Sequence, residues 1–405
     1  MTILLVLLLL ALIMGLGAAN ARFARTAQDP NEFLPRWEGA NAWLTRGRSP
    51  YDPQVSLSAQ RRLYGREADP EQGETLALFA YPFPAMLLYA PWGALDYPSA
   101  RAGWMTLLEV MLVAAGLLAV QLTSWRPPPL LLALVVIFGV AWSPGIRSIV
   151  SGHVGILALV CSLAAIVSIE RGWDRAGGVL LVLALADPIV GLLVLLVALT
   201  WAVSARRWGL IGVAVVTAGL VSGVSLLVMP GWPLAWLQQL AVGVEAGAQS
   251  GSSLRLPILG PESAPGILAA SLALAILWTI WRGWGKGTRW LVWGTAFTLV
   301  LGDWLTRLAV GSSPSIYLLP AIVFILASLG QRPERNGSWM VAGGLILIGV
   351  GSWIPYLGTS ASWADSTVGG SVGPALAALG LLWVRWWVTR GAEIRGLSFE
   401  DPNVG

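Results

Sequence analysis

The sequence predicts an all-α protein that crosses a membrane about twelve times, and its composition and hydropathy pattern carry that prediction. Of its 405 residues, 56% are apolar and only 11% are charged, whereas soluble domains carry about 25% charged residues. The mean hydropathy is +0.71, and apolar runs close to the length that spans about 30 Å of hydrocarbon recur along most of the chain. A soluble globular protein and a disordered or fibrous one are therefore excluded.

The first predicted span, residues 3–19, is interpreted as a retained helix because no basic region precedes it, as a signal peptide would require. Eleven further spans are predicted near residues 78–95, 103–123, 129–143, 149–168, 177–203, 209–229, 265–281, 290–308, 315–329, 339–355 and 372–388. We allow eleven to thirteen spans, because Asp187-Pro188 interrupts one run and proline removes a helical hydrogen bond. That run can therefore form two half-helices.

The distribution of basic residues predicts the orientation. With a cytoplasmic N-terminus, the internal loops hold more arginine and lysine than the external connections, as the positive-inside rule expects. The pI near 9.6 follows from this bias and does not indicate a nucleic-acid partner. We predict one domain over residues 1–405 in the inner cell membrane. It comprises a first span (1–20), an extracytoplasmic loop (21–77), the remaining spans (78–388) and a cytoplasmic tail (389–405).

The first outer loop is patterned as two helices that lie in the plane of the membrane. Apolar positions Phe33, Trp37, Ala40 and Leu44 share one side, and polar positions Glu38, Asn41 and Thr45 share the other. Gly47 is predicted to end this helix, a turn follows at residues 49–53, and a second helix covers residues 54–65. Tryptophans beside the outer loops, Trp37, Trp43, Trp232 and Trp236, suit either the lipid headgroup zone or stacking on a sugar ring.

Two carboxylates, Asp29 and Glu32, precede the first of these helices and admit two interpretations. In the structural one, Asp29 is the N-cap, Pro30 the first helical residue and Glu32 the third, which completes a capping box. In the functional one, a carboxylate just above the first span is poised as a general base.

A series of short motifs begins in this loop and continues beyond it. The first set lies in the loop, and the others follow along the chain: Glu32-Phe33, Trp37, Ala40, Leu44, Gly47 and Pro50-Tyr51-Asp52, then Phe79-Ala80-Tyr81-Pro82, Pro91, Ser151-Gly152-His153-Val154-Gly155, Ala176-Gly177 and Tyr317-Leu318-Leu319-Pro320. In their order and spacing these motifs resemble glycosyltransferase family 87 (DUF2029), and the resemblance covers about residues 30–385. It implies a GT-C-like fold and a polyprenyl-phosphate-dependent sugar transferase, as the mycobacterial mannosyltransferases of this family are.

Three positions depart from the family pattern. Glu32 stands where the family commonly has aspartate, His153 where it usually has glutamine, and Asp187 where it commonly has lysine. The first departure leaves the base open between Asp29 and Glu32. The third removes a cation that could meet a phosphate, so an inactive relative stays an alternative. Asp187 can instead cap the half-helix that follows it or point into a cavity.

The resemblance also implies the chemistry. A hexose, possibly mannose, would move with inversion from a polyprenyl-phosphate donor to a lipid or glycan hydroxyl at the outer face, with one carboxylate as base. Arginine suits the donor phosphate because its planar fork binds two oxygens, and the candidates are Arg36, Arg46, Arg48, Arg255 and Arg307. Arg307 could equally form an ion pair with Asp303, four residues earlier. Tyr51, Tyr81, His153 and Asp187 complete the expected substrate-binding set.

Other classes of site find no support in the residue spacing. No cluster of histidine, aspartate and glutamate has metal-ligand spacing, Cys161 is alone, and no glycine-rich phosphate loop is evident. We therefore expect no metal, no cofactor and no nucleotide-binding domain. The alternative function is a multi-pass transporter or lipid flippase, which twelve spans with ionisable residues inside them would also suit.

Overall fold

The computed structural model describes residues 2–26, 31–72, 74–249, 264–310, 315–331, 337–354 and 367–390. These ranges are helical, with no strand among them. Their seventeen α-helices are α1 Thr2–Thr26, α2 Phe33–Arg46, α3 Pro53–Tyr64, α4 Met86–Gly93, α5 Tyr97–Leu122, α6 Pro129–Ala141, α7 Ser143–Ser151, α8 Gly155–Glu170, α9 Asp174–Leu183, α10 Pro188–Ser204, α11 Trp208–Val228, α12 Trp232–Gln249, α13 Ala264–Gly283, α14 Thr288–Val310, α15 Leu319–Gly330, α16 Gly337–Gly351 and α17 Thr367–Arg390. The predicted all-α class is confirmed.

The chain forms two compact units. The first contains residues 1–111, 147–154 and 218–255, and the second contains residues 112–146, 155–217 and 256–405. In the first unit, α2 packs on α3 and α4. In the second unit, α14 packs against α10 and α17, and α8 against α9. A single domain over the whole chain stays a prediction.

Helix length and composition identify the membrane-spanning candidates. Among the described residues, α5 and α11 are long and apolar enough to cross a membrane, and the bent pair α6 and α7 would count as a third span if taken together. Several shorter apolar helices, such as α8 and α10, accompany them. The chain is thus a helical membrane protein, but the number of twelve spans is not confirmed.

The span predicted over residues 78–95 is wrong. This stretch begins with non-helical backbone, continues through a 3-10 turn at Phe83–Ala85, and ends in the eight-residue helix α4. Prolines explain the difference, because Pro82, Pro84 and Pro91 each lack a backbone N–H and keep a long helix from forming. The break predicted at Asp187-Pro188 is present: α9 ends at Leu183, a 3-10 turn follows, and α10 begins at Pro188.

The two helices predicted in the first outer loop are present. Gly47 ends α2 in the left-handed conformation (φ 60°), and Asp52 caps α3 by accepting a hydrogen bond from the backbone N–H of Gln54. Close packing holds α2 in place, because a Cβ atom on Gly93 of α4 would lie 2.7 Å from the backbone of Ala40. Glycine at position 93 therefore lets the two helix backbones meet.

The predicted two-sided pattern of α2 holds at Phe33, Trp37 and Ala40, which are buried, but fails at two other positions. Glu38 was expected on the polar side but is buried, and Leu44 was expected on the apolar side but is 44% exposed. Trp37 is also buried and donates its indole N–H to the backbone oxygens of Trp92 and Leu95, so it is neither a headgroup anchor nor a sugar platform. Protein surrounds the first turns of α2 because residues 79–93 fold back over them.

Candidate functional site

The carboxylate of Glu32 lies at the start of α2, in the first unit. The helix begins at Phe33 and not at the predicted Pro30, and the side chain of Glu32 makes no capping bond to the described residues. The Asp29 side of the predicted capping box lies outside them. Asn31 takes the capping role instead, since its Oδ1 accepts a hydrogen bond from the N–H of Leu34. Glu32 is thereby left available for other contacts. The second candidate base, Asp29, lies outside the described residues.

One oxygen of this carboxylate is anchored and the other is open. Oε2 accepts a hydrogen bond from Nη2 of Arg36 at 2.8 Å and contacts Nδ1 of His153 at 3.0 Å. Oε1 has no hydrogen-bond or ion-pair partner in the described part of the chain. The side chain of Glu32 is 42% exposed, whereas those of Arg36 and His153 are only 6% and 11% exposed. The arrangement presents an oriented carboxylate oxygen to the surroundings.

The turn at residues 151–153 docks directly on the start of α2. The N–H of Glu32 donates to the backbone oxygen of Ser151 at 2.8 Å, and Arg36 and Trp104 both donate to that of Gly152. Gly152 has φ +72°, and a Cβ atom there would lie 2.7 Å from Cβ of Phe33. Glycine is required at this position both by conformation and by space. The turn thus brings His153 to Glu32 across 121 residues of sequence.

His153 and Arg36 set the charge state of Glu32. Burial by itself would raise the pKa of this carboxyl, but the charge and hydrogen bond of His153, followed by those of Arg36, outweigh burial and hold the pKa well below its usual range. Because the side chain is partly exposed, its desolvation is incomplete and these two groups dominate. Glu32 is therefore an ionised proton acceptor across the physiological pH range.

Aromatic residues enclose Arg36. Its guanidinium lies 4.5 Å from the ring centroid of Tyr81 and also donates to the hydroxyl of that residue, and Tyr89 flanks it at 5.9 Å. The hydroxyl of Tyr51 donates to the backbone oxygen of Tyr81 at 2.7 Å. Burial raises the pKa of Tyr51, so this phenol stays protonated and keeps its donor. Of the predicted substrate-binding residues, Arg36, Tyr51, Tyr81 and His153 are therefore brought together around Glu32.

The other predicted arginines of this unit lie at the far end of α2. Arg46 is 40% exposed and binds Oε1 of the buried Glu38 at 2.8 Å, and Arg62 of α3 approaches Oε2 at 3.2 Å. Arg48 is exposed. This cluster joins α2 to α3 and leaves a net positive charge at the surface. Arg255 lies outside the described residues.

Asp187 belongs to the second unit and acts as a helix cap there. It is buried, its Oδ1 accepts from the N–H of Val190 at 3.4 Å, and its Oδ2 accepts from the hydroxyl of Tyr317 at 2.7 Å. These bonds link the break between α9 and α10 to the Tyr317-Leu318-Leu319-Pro320 motif. They account for Asp187 without a substrate.

Arg307, also in the second unit, lines a largely apolar cavity of about 510 Å³. The arginine is buried and donates from Nη2 to Oγ of Ser315 at 2.8 Å. The cavity walls come mainly from α15, α16 and α17 and include Leu318, Ile322, Ile325, Ile348 and Leu376. The cavity is within the size range of sites for small ligands, about 300–1,000 Å³.

Sequence reasoning missed two aromatic residues of the site. Trp104 donates to Gly152 and stacks on Phe33 with a centroid distance of 5.4 Å, and Tyr89 is fully buried against Arg36. Both sit in apolar runs where aromatic residues are common, so no local signal marked them. Among the described residues, no group of three or more His, Cys, Asp or Glu could hold a metal ion.

Comparison with known proteins gives one match. The model of glycosyltransferase family 87 matches residues 79–301, more than half of the chain. Tyr81, Trp104, His153 and Asp187 lie within the matched range, and Glu32 and Arg36 precede it. No match was found among curated proteins or among solved structures.

Proposed function

Since the chain belongs to glycosyltransferase family 87, we propose that it transfers a hexose, such as mannose, from a polyprenyl-phosphate donor to a hydroxyl group of a lipid or glycan at the outer face of the cell membrane. Family membership and the apolar helices make it a membrane glycosyltransferase that uses a sugar donor and an acceptor. The donor, the sugar, the inverting course and the GT-C class belong to the proposal.

The geometry of Glu32 carries the mechanism. In an inverting single displacement, the acceptor oxygen bonds to the anomeric carbon as the bond from that carbon to the phosphate oxygen breaks. The hydroxyl proton must pass to a base, for which one positioned carboxylate suffices. Oε1 of Glu32 is the open oxygen and is assigned this proton. Oε2, held by Arg36 and His153, sets the direction in which Oε1 points.

The enclosure of Arg36 supports a positioning role for it. Its guanidinium is 6% exposed and is occupied by Glu32, Tyr81 and Gly152, so a phosphate would have to displace protein contacts to reach it. If a donor phosphate does approach, it competes with Glu32 for the same cation. The pKa of Glu32 would then rise, and the carboxylate would become a stronger base at the moment the donor is bound.

Other arginines are more open to the phosphate of the donor than Arg36 is. Arg46 and Arg48 are exposed in the first unit, at the far end of α2. The phosphate-binding role of Arg307, which lies in the second unit, stays a prediction. A phosphate is a good leaving group, so positive charge near it replaces the acid that glycosidases need.

The test uses the purified full chain with labelled polyprenyl-phospho-sugars and a lipid extract. We expect a glycosylated lipid product that depends on Glu32. Sugar-lipid that crosses a proteoliposome bilayer without a product would instead favour the transporter or flippase. If neither a product nor transport is seen with any hexose donor, the proposed activity is refuted and an inactive relative is left.

A further inference from the structure

One face of α12 differs from the rest of the helix in its polarity. Trp232, Trp236 and Gln239 are spaced i, i+4 and i+7, so they lie on the same side of the helix. The opposite side carries Leu234 and Leu237, which are 64% and 56% exposed. In a membrane protein such an exposed apolar side suits lipid, and it leaves the aromatic and amide side turned toward protein.

This inward face lies against the non-helical segment that leads to Tyr81. The indole N–H of Trp236 donates to the backbone oxygen of Ala80 at 3.3 Å. Two turns after Trp236, a Cβ atom on Gly243 would lie 3.4 Å from Cδ1 of Leu78. Ala80 is the neighbour of Tyr81, whose hydroxyl accepts from Arg36. The face therefore lies beside the same group of residues that holds Glu32, within the first unit.

Two polar atoms of this face are buried and have no hydrogen-bond partner among the residues that the structure describes. They are Nε1 of Trp232, a donor, and Oε1 of Gln239, an acceptor, and Gln239 as a whole is only 7% exposed. Leaving such a group unsatisfied is unfavourable, and native proteins hold few of them. The packing of α12 against residues 78–81 therefore costs free energy at these two atoms, and both could recognise a polar ligand.

We infer that this face of α12 binds the pyranose ring of the sugar substrate, which enters as α12 separates from residues 78–81. This assignment rests on the proposed function. Indole rings offer flat apolar surfaces to the C–H face of a pyranose, and the rings of Trp232 and Trp236 lie 6.2 Å apart at 47°. Gln239 accepts a hydrogen bond from a ring hydroxyl, and Trp232 donates one to a ring oxygen. These two bonds remove the penalty of the closed state and select among hexose epimers.

The test measures sugar binding without transfer. The full-chain protein in lipid nanodiscs is titrated with radiolabelled octyl glucopyranoside, mannopyranoside and galactopyranoside. We expect saturable binding of at least one of them. Gln239→Leu and Trp232→Phe should each weaken it roughly tenfold, the change produced by loss of about one hydrogen bond. Gln238→Leu is the matched control, because Gln238 is exposed on the same helix, and it should bind as the wild type does.

A stability measurement separates ligand recognition from a structural role. Because Oε1 of Gln239 has no partner in the described part of the chain, Gln239→Leu should unfold at the same or a higher temperature than the wild type in the absence of sugar. Any of three results would overturn the inference. They are no sugar binding by the wild type, sugar binding that Gln239→Leu leaves unchanged, and a loss of stability in Gln239→Leu. Sugar binding through Gln239 without transfer would refute the proposed function alone, and transfer that is indifferent to Gln239 would refute this inference alone.

Discussion

Glu32 illustrates how a surface carboxylate acquires a defined direction. A lone glutamate at a helix start samples several rotamers, but here Arg36 and His153 both hold Oε2. Arg36 is in turn enclosed by Tyr81 and by the backbone of Gly152. Preorganisation of this kind avoids the cost of ordering the base when substrate arrives. Two predictions follow from it at the scale of single side chains.

The first concerns the open oxygen. Glu32→Gln keeps the size of the side chain but removes the proton acceptor, so the kcat of sugar transfer should fall by about 10²- to 10⁴-fold. Thermal unfolding in detergent should show that the protein still folds. Glu67→Gln is the matched control, because Glu67 is 65% exposed in the same outer segment, and it should retain wild-type kcat. Undiminished turnover in Glu32→Gln would assign the base to Asp29, for which Asp29→Asn is the direct test.

The second concerns pH. His153→Gln keeps a hydrogen-bond donor near Glu32 but removes the charge that lowers the pKa of this carboxyl. Since burial then counts for more, the pKa of Glu32 should rise. The acid limb of the kcat/KM profile should move to higher pH. Arg36→Gln should move it in the same direction.

The stability of the wild type as a function of pH is an independent check on the lowered pKa of Glu32. A carboxyl with a lowered folded-state pKa stabilises the fold above its unfolded pKa of about 4.3, and this contribution is lost as the pH falls through the folded value.

If the kcat/KM profiles of the wild type, His153→Gln and Arg36→Gln superimpose, neither His153 nor Arg36 acts on the reacting carboxylate.

At the scale of helices, the position of α2 depends on its contact with α4. The two backbones approach so closely at Gly93 that a methyl group would meet the backbone of Ala40 and the N–H of Asn41. The side chain of Asn41 reinforces the contact by donating to the backbone oxygen of Gly93 at 2.9 Å. Because α2 carries Arg36 and begins next to Glu32, this contact also positions the site.

Gly93→Ala should therefore destabilise the protein by about 1–3 kcal/mol, since overpacking forces the backbones apart. The thermal unfolding midpoint in detergent, followed by tryptophan fluorescence, measures the effect. Gly223→Ala is the control, because a Cβ atom there would meet nothing within 4 Å, and alanine in a helix should leave stability equal or higher. Equal midpoints for Gly93→Ala and the wild type would show that α2 and α4 do not touch in this way.

At the scale of the whole molecule, the charge distribution predicts which loops face outward. Cys161 is the one cysteine of the chain and is buried, so Cys161→Ala provides a background free of thiols. In intact cells, a membrane-impermeant maleimide should label Glu67→Cys in the outer segment. It should label Lys286→Cys, an exposed position in a loop predicted to be cytoplasmic, only after the cells are permeabilised. The reverse pattern would invert the topology and move Glu32 to the cytoplasmic face.

The composition, several helix boundaries and the family motifs could be predicted from the sequence, because each has a cause within a short stretch of the chain. The scarcity of charge indicates a membrane protein, Gly47 marks the end of α2, the turn at residues 49–53 separates α2 from α3, and Asp187-Pro188 marks the break before α10. The motifs from Phe79-Ala80-Tyr81-Pro82 to Ala176-Gly177 also indicate the family, and they lie within the range that the family model matches. Each of these depends on residues that are close together in sequence.

Contacts between distant segments could be decided only by the tertiary structure. The contact between Glu32 and His153 joins residues that are 121 positions apart in the sequence. The burial of Glu38 and Trp37 depends on residues 79–93, which fold back over α2. A periodic pattern reports which residues share a helix face, but it cannot report whether another segment covers the polar side as well. For the same reason, no pattern in α12 alone indicates that Gln239 is enclosed without a partner, because burial is a property of the neighbours that the fold supplies.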